Sequence, residues 1–230
     1  MGCTLTVAVL LVVASTGTRA AGAETNDACS AGVHALRLGG GSTALVRVAP
    51  TPAGTPRSLL LVLHDAGGTE ARAIAAFSGG WDAPGLILVA PRARGAAWSF
   101  ERGSGDDLAT VGRALTQAVS RCKVDSSRIA IGGFGTGATA ALSLGVTNGR
   151  LFHAIVALAP GPVGTQKRAG RPRVFIAHGT SDRVAPFAKT RDVLVPSLRR
   201  EGYAVTFRAF PGGHVVPAGV ARAAVKWLLG

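Results

Sequence analysis

Five short, almost uninterrupted apolar runs punctuate this chain: Ser58 to Leu63, Leu86 to Ala90, Arg128 to Ile131, Ala154 to Leu158 and Val174 to Ala177. A run of four to six such residues with no alternation is what a strand covered on both faces requires. Helix-forming stretches separate them: Glu70 to Phe77, Asp106 to Arg121, Ala138 to Val146 and Ala188 to Arg200. Val33 to Leu38 and Thr43 to Val48, joined by Gly39-Gly40-Gly41, form an opening hairpin; Tyr203 to Phe210 is a last strand and Val220 to Leu229 a last helix. Strands alternating with helices in this way dictate βαβ units and a mostly parallel central sheet with helices on both faces, an α/β fold. The expected start of the second helix is a capping box, Ser104-Gly105-Asp106-Asp107.

The 230 residues, 47% of them hydrophobic, suit one well-cored domain. Residues 1–23 read as an export signal. Leu5 to Ala14 is apolar, and Ala21-Gly22-Ala23 is an A-x-A cleavage pattern, although no Lys or Arg precedes the run. Ten residues are too few to cross a bilayer, which takes about 20. The expectation is a secreted or periplasmic protein with a single domain over 24–230. Cleavage removes Cys3 and leaves Cys29 and Cys122, a candidate disulfide in an oxidising compartment, or two unrelated thiols.

The formal charge is +13, or 24 − 12 = +12 once Arg19 leaves with the signal. Such a balance could favour anionic surfaces. The basic residues, however, are spread along the chain with no run of five or six, 21 of them Arg and 4 Lys, as a skewed genomic composition also produces. No zinc-finger, basic-helix or RNA-binding signature is present, so nucleic acid is not an expected partner. No metal-ligand cluster or phosphate-binding loop implies a cofactor.

In a sheet of this type the chemistry sits at the carboxyl ends of the strands. After the 58–63 strand comes His64-Asp65-Ala66-Gly67-Gly68, a loop able to aim a backbone N–H into a pocket. After the 128–131 strand comes Gly132-Gly133-Phe134-Gly135-Thr136-Gly137, leading straight into a helix. Small residues two positions either side of a central one are the frame of a nucleophile elbow, where strand and helix pack closely about a sharp turn. After the 174–177 strand comes His178-Gly179-Thr180-Ser181-Asp182, and after the last strand Pro211-Gly212-Gly213-His214. Elbow, acid, histidine is a recognised chain order for a catalytic triad.

These motifs give the chain a resemblance to the phospholipase/carboxylesterase-like serine esterases, close to the polyhydroxybutyrate-depolymerase-like group. Residues 129–160 resemble that group's elbow region, and Pro91, Arg94-Gly95, Trp98, the 178–182 segment and 212–217 add further matches. The resemblance runs from about residue 40 to the end. It implies an α/β-hydrolase fold without a large cap domain and a carboxylic-ester ligand, small or polymeric. It assigns Asp182 and His214 as the acid and base, the amides of Thr136 and of the Asp65/Ala66 region as the oxyanion hole, and Trp98 and Phe134 to the substrate pocket.

Three positions depart from the pattern. Gly135 stands where the nucleophilic serine belongs, Thr136 where the group has Asp or Gln, and Asp65 where the loop has a second glycine. One inactivating accident would not alter all three. Loss of a triad nucleophile costs on the order of 10⁶ in kcat, so the expected protein is an impaired or non-catalytic esterase that keeps an Asp-His pair and an ester pocket. Three replacements for the serine can be weighed. Thr136 is adjacent but off the tip of the turn. A water activated by His214 is the second. Asp65 lies on the other loop, which counts against it. Ser143 is two turns into the helix and too far away. An exported protein adhering to anionic surfaces is the alternative outside ester chemistry. His64, His178 and Trp227 read as packing residues, Asp107 as a helix-start residue, and Trp98 equally as a cover for the core.

Overall fold

The computed structural model describes residues 29–100, 105–164 and 167–230. The expected export signal, and Ser104 of the expected capping box, lie outside the described residues.

Among the described residues, eight strands form one open sheet. They are β1 (Gly32–Gly39), β2 (Ser42–Val48), β3 (Ser58–Leu63), β4 (Leu86–Pro91), β5 (Ile129–Phe134), β6 (Ala154–Leu158), β7 (Arg173–Gly179) and β8 (Val205–Phe210), in the order β1-β2-β4-β3-β5-β6-β7-β8. β2 runs antiparallel to both β1 and β4, and every other pairing is parallel. The order turns back at β3 and β5, leaving a crevice at their carboxyl ends.

Helices cover both faces because the central strands are apolar on both. Leu59, Leu61 and Leu63 join a core with α2 (Asp106–Cys122), α3 (Thr136–Thr147) and Leu198 of α5 (Val195–Arg200). Leu60 and Val62 point the other way, into a core with α1 (Glu70–Ala75) and α6 (Ala218–Leu229). Successive strand residues thus serve opposite layers. Burying one such leucine side chain contributes roughly 1.5–3 kcal/mol. Among the described residues no inserted cap domain interrupts the sheet.

Two expectations shift locally. The helix expected over 188–200 begins as α4 (Phe187–Lys189) and carries a π-turn at Thr190–Leu194, where the Val195 amide bonds the Thr190 carbonyl five residues back, before α5. Pro196 sits at the start of α5 and has no N–H for a normal ladder. The N-cap of α2 is Gly105, with no side-chain bond, in place of a capping box. Buried Asp107 instead accepts the amides of Arg94 (2.8 Å) and Ser99 (2.9 Å), pinning the loop after β4. A disulfide joins Cys29 to Cys122, with 5.2 Å between the Cα atoms.

Candidate active site

The turn from β5 to α3 is tight because two glycines make it so. A Cβ on Gly133 would lie 2.5 Å from the Gly137 carbonyl carbon, and one on Gly137 would lie 2.1 Å from the Leu63 carbonyl oxygen. Backbone at that separation excludes any side chain. At the tip, Gly135 has φ 58° and ψ −122°, a conformation that costs a non-glycine residue roughly 1–3 kcal/mol. The helix starts at once, two residues earlier than the apolar periodicity indicated.

β7 and β8 end side by side. The Thr180 amide bonds the Phe210 carbonyl and the Ser181 amide bonds that of Gly212, both at 2.9 Å. The two following loops therefore meet. His214 Nδ1 lies 2.7 Å from Asp182 Oδ2. Asp182 Oδ1 accepts the amides of Val184 (2.8 Å) and Ala185 (2.9 Å), and the carboxylate side chain is fully buried. Burial opposes its ionisation, but the His214 bond and the two amides outweigh it and hold the Asp182 carboxyl below its ordinary range. His178, wholly buried, lies with Nε2 2.9 Å from the Ala185 carbonyl and 3.2 Å from Asp182 Oδ2, so it braces the acid from behind.

The carboxylate of Asp65 occupies the space above Gly135. A Cβ on Gly135 would lie 2.3 Å from Asp65 Oδ1 and 2.7 Å from Oδ2. Oδ1 accepts the amides of Thr136 and Ala66, both at 2.8 Å, and the Thr136 hydroxyl at 3.1 Å. Oδ2 lies 3.3 Å from His214 Nε2. His214 is thus bracketed by two carboxylates, Asp182 on one nitrogen and Asp65 on the other, and both contacts are satisfied when both nitrogens carry hydrogen. Burial raises the Asp65 pKa, and the amides of Thr136 and Ala66, the Thr136 hydroxyl and His214 together bring it below the ordinary carboxylate value.

Loop membership was a poor guide to where this side chain goes. Asp65 is on the β3–α1 loop, yet its carboxylate sits at the tip of the β5–α3 turn. The turn of its own loop explains this: Gly67 has φ 64°, and the Gly68 amide bonds the Asp65 carbonyl at 2.8 Å. The hydroxyl of Thr136 is committed to Asp65, while the ring nitrogens of His214 face Asp182 and Asp65.

A cavity of about 290 Å³ opens beside this cluster, lined by His64, Asp65, Phe134, Val216 and, from α1, Arg72 and Ala73 among others. Phe134 also packs at a tilt against the His214 ring, 4.6 Å between centroids. Trp98 is elsewhere: its indole N–H bonds the His64 carbonyl at 2.9 Å and its ring stacks on Phe100, so it covers the core instead of lining this cavity. His64 packs as expected; its Nε2 accepts the Ala93 amide at 3.1 Å, and Nδ1 lies 2.8 Å from the Asp65 carbonyl. Arg72 gave no signal in the sequence, because a lone arginine on a short helix is usually a solvated surface group. Among the described residues no cluster could hold a metal ion, and no helix is long and apolar enough to cross a membrane.

Asp65 and Asp182 both gain ionised-form stabilisation on folding. Their contribution is complete above the unfolded carboxylate pKa, about 3.9, and is lost as pH falls through their lower folded values. Replacing Asp65 by Asn is therefore expected to make the melting temperature fall less steeply with acid below pH 4. An unchanged slope would show that the bonds to Oδ1 contribute nothing to folding.

This sheet order, with an elbow after β5 and an acid and a histidine after β7 and β8, defines the α/β-hydrolase fold. Solved structures to which it is similar include esterases and carboxylesterases. Esterase PE8 superposes with a TM-score of 0.64 at 25% identity, over 78% of this chain and 95% of that one. The Bacillus cereus carboxylesterase gives 0.62 at 21%, over 83% and 94%. A phospholipase/carboxylesterase from Dyadobacter fermentans gives 0.60 at 21%, over 81% and 96%. No family model matches the sequence, and no curated protein matches it significantly.

Proposed function

We propose that this protein is an exported member of the esterase-like α/β-hydrolases in which serine-esterase chemistry is switched off, while the pocket for a small ester-like ligand remains. The observation that carries this reading is the double occupancy by Asp65. Its carboxylate takes the volume of the missing serine side chain, and its Oδ1 takes both amides that would bind a developing oxyanion. An ester carbonyl entering the cavity finds neither a nucleophilic hydroxyl nor a free oxyanion hole. Those two features supply most of a serine hydrolase's rate. Export is supported by the signal-like residues 1–23 and by the Cys29–Cys122 bridge, which persists in oxidising compartments.

The test is turnover of short-chain p-nitrophenyl esters. The parent protein is expected to fall about 10⁶-fold short of a serine triad, to resist fluorophosphonate labelling, and to lose nothing further in His214→Ala. Robust ester turnover abolished by His214→Ala, or a labelled residue in the cleft, would overturn the reading. Export is checked by sequencing the mature N-terminus, expected to begin near Glu24.

A further inference from the structure

We propose that Asp65 is itself a covalent nucleophile, and that the site displaces halide from short primary alkyl halides. The inference rests on the reading above, that serine chemistry has left the site. The chemistry of a carboxylate narrows the electrophile. Attack on an ester carbonyl would form an anhydride and expel an alkoxide, a far stronger base than the attacker, so carboxylic esters are poor substrates for it. Attack on a saturated carbon instead forms an ordinary ester and releases a weakly basic anion. Carboxylates act as covalent nucleophiles when such an intermediate can be resolved.

The surroundings of Asp65 match both halves of that sequence. In the first, an Oδ2 lone pair attacks the carbon of R–X. The C–X bond breaks with its electron pair leaving on X⁻, and Asp65 becomes the alkyl ester. Ala73, Ala76, Phe134 and Val216 give the cavity apolar wall for the alkyl chain, and Arg72 places a cation there for the departing anion. The volume of about 290 Å³ suits a chain of a few carbons. In the second half, the new ester's carbonyl oxygen is Oδ1, already held by the amides of Thr136 and Ala66 at 2.8 Å. Esterification removes the negative charge facing His214 Nε2, 3.3 Å from Oδ2, and that nitrogen gives up its proton to solvent, the H⁺ of the overall balance. The ring, oriented through Nδ1 by Asp182 at 2.7 Å, then takes a proton from water as its oxygen adds to Cγ. The tetrahedral oxyanion on Oδ1 lies in the hole, the Oδ2–Cγ bond breaks, and His214 returns the proton to the leaving alkoxide. The balance is R–X + H₂O → R–OH + H⁺ + X⁻, with the alcohol oxygen drawn from Asp65 and the water oxygen left in its carboxylate.

Isotope tracing in the unmodified protein tests this directly. A single turnover of 1-bromobutane in ¹⁸O-water is expected to release bromide and to leave one heavy oxygen in the peptide carrying Asp65. His214→Ala is expected to slow steady bromide release about 10²–10⁴-fold and to accumulate a butyl ester on Asp65. Asp65→Ala should release bromide no faster than buffer. Heavy oxygen found only in butanol, an adduct on another residue, or no bromide release by the parent would each overturn the proposal. Ester turnover is scored separately with p-nitrophenyl substrates, so failure of the disarmed-esterase reading is distinguishable from failure of this one.

Discussion

The double variant Gly135→Ser/Asp65→Gly is expected to hydrolyse short aryl esters at least about 100-fold faster than the parent, whereas Gly135→Ser alone gains little. The full swing between a triad with and without its serine is on the order of 10⁶, and a transplanted serine recovers only part of it. The reason for pairing the changes is steric. A serine Cβ at position 135 would lie 2.3 Å from Asp65 Oδ1, so the carboxylate must swing away, breaking its bonds to Thr136 and Ala66 and its contact with His214. The single variant also takes on the positive-φ strain of the elbow, roughly 1–3 kcal/mol, and its melting temperature should fall. Removing the Asp65 side chain clears the space, frees both amides for an oxyanion, and leaves His214 held by Asp182 and open to the new hydroxyl. Asp65→Gly alone supplies a hole without a nucleophile and should stay inactive. Strong coupling in this cycle is the signature of two groups competing for one position. Equal activity in Gly135→Ser and the double variant would show that Asp65 does not block the turn.

How far the sequence reveals this site depends on whether a property is set by backbone path or by side-chain direction. The doubly covered strands, the glycines at 133 and 137, and the meeting of the 182 and 214 loops follow from runs of residues that permit one backbone course. The layer assignment is equally legible: Leu59, Leu61 and Leu63 must face away from Leu60 and Val62 because a strand alternates. Asp65 differs. Its place in the chain puts it on the β3–α1 loop, and only the local turn through Gly67 and Gly68, together with two amides from different elements, carries its carboxylate across to Gly135. The departure at 65 was visible as a lost glycine, but its meaning depends on the simultaneous loss of a side chain at 135. Neither substitution explains itself alone. Trp98 illustrates the converse: an aromatic in a long loop reads equally as pocket wall or core cover, and its bond to the His64 carbonyl settles that choice in space. The helix over 187–200 was legible as a helix, whereas its π-turn depends on how Pro196 distributes the missing bond.

Reduction of the Cys29–Cys122 bridge is expected to destabilise the protein by roughly 4–5 kcal/mol, the loop-closure entropy released to an unfolded chain when about 90 residues are no longer tied. The sequence separation is 93. Folded domains are stable by only about 5–15 kcal/mol, so this is a large share. The bridge also has a local task. Among the described residues β1 is an edge strand, paired on one side only, with β2, and edge strands fray first. Cys29 lies just ahead of β1, where its carbonyl also accepts a bond from Arg57 at 3.2 Å, and Cys122 ends α2 in the core beneath. The crosslink therefore anchors β1 to α2. Denaturant unfolding with and without a thiol reductant, and of Cys29→Ala/Cys122→Ala, should show the same drop in midpoint. A slightly shallower slope is expected of the oxidised protein, whose tied unfolded chain exposes less surface. Cys122 is almost wholly buried, so reduction should be slow until the chain opens and should accelerate steeply with denaturant. A midpoint unmoved by reduction would show that the β1–β2 pairing and the α2 packing hold this end of the sheet without the bond.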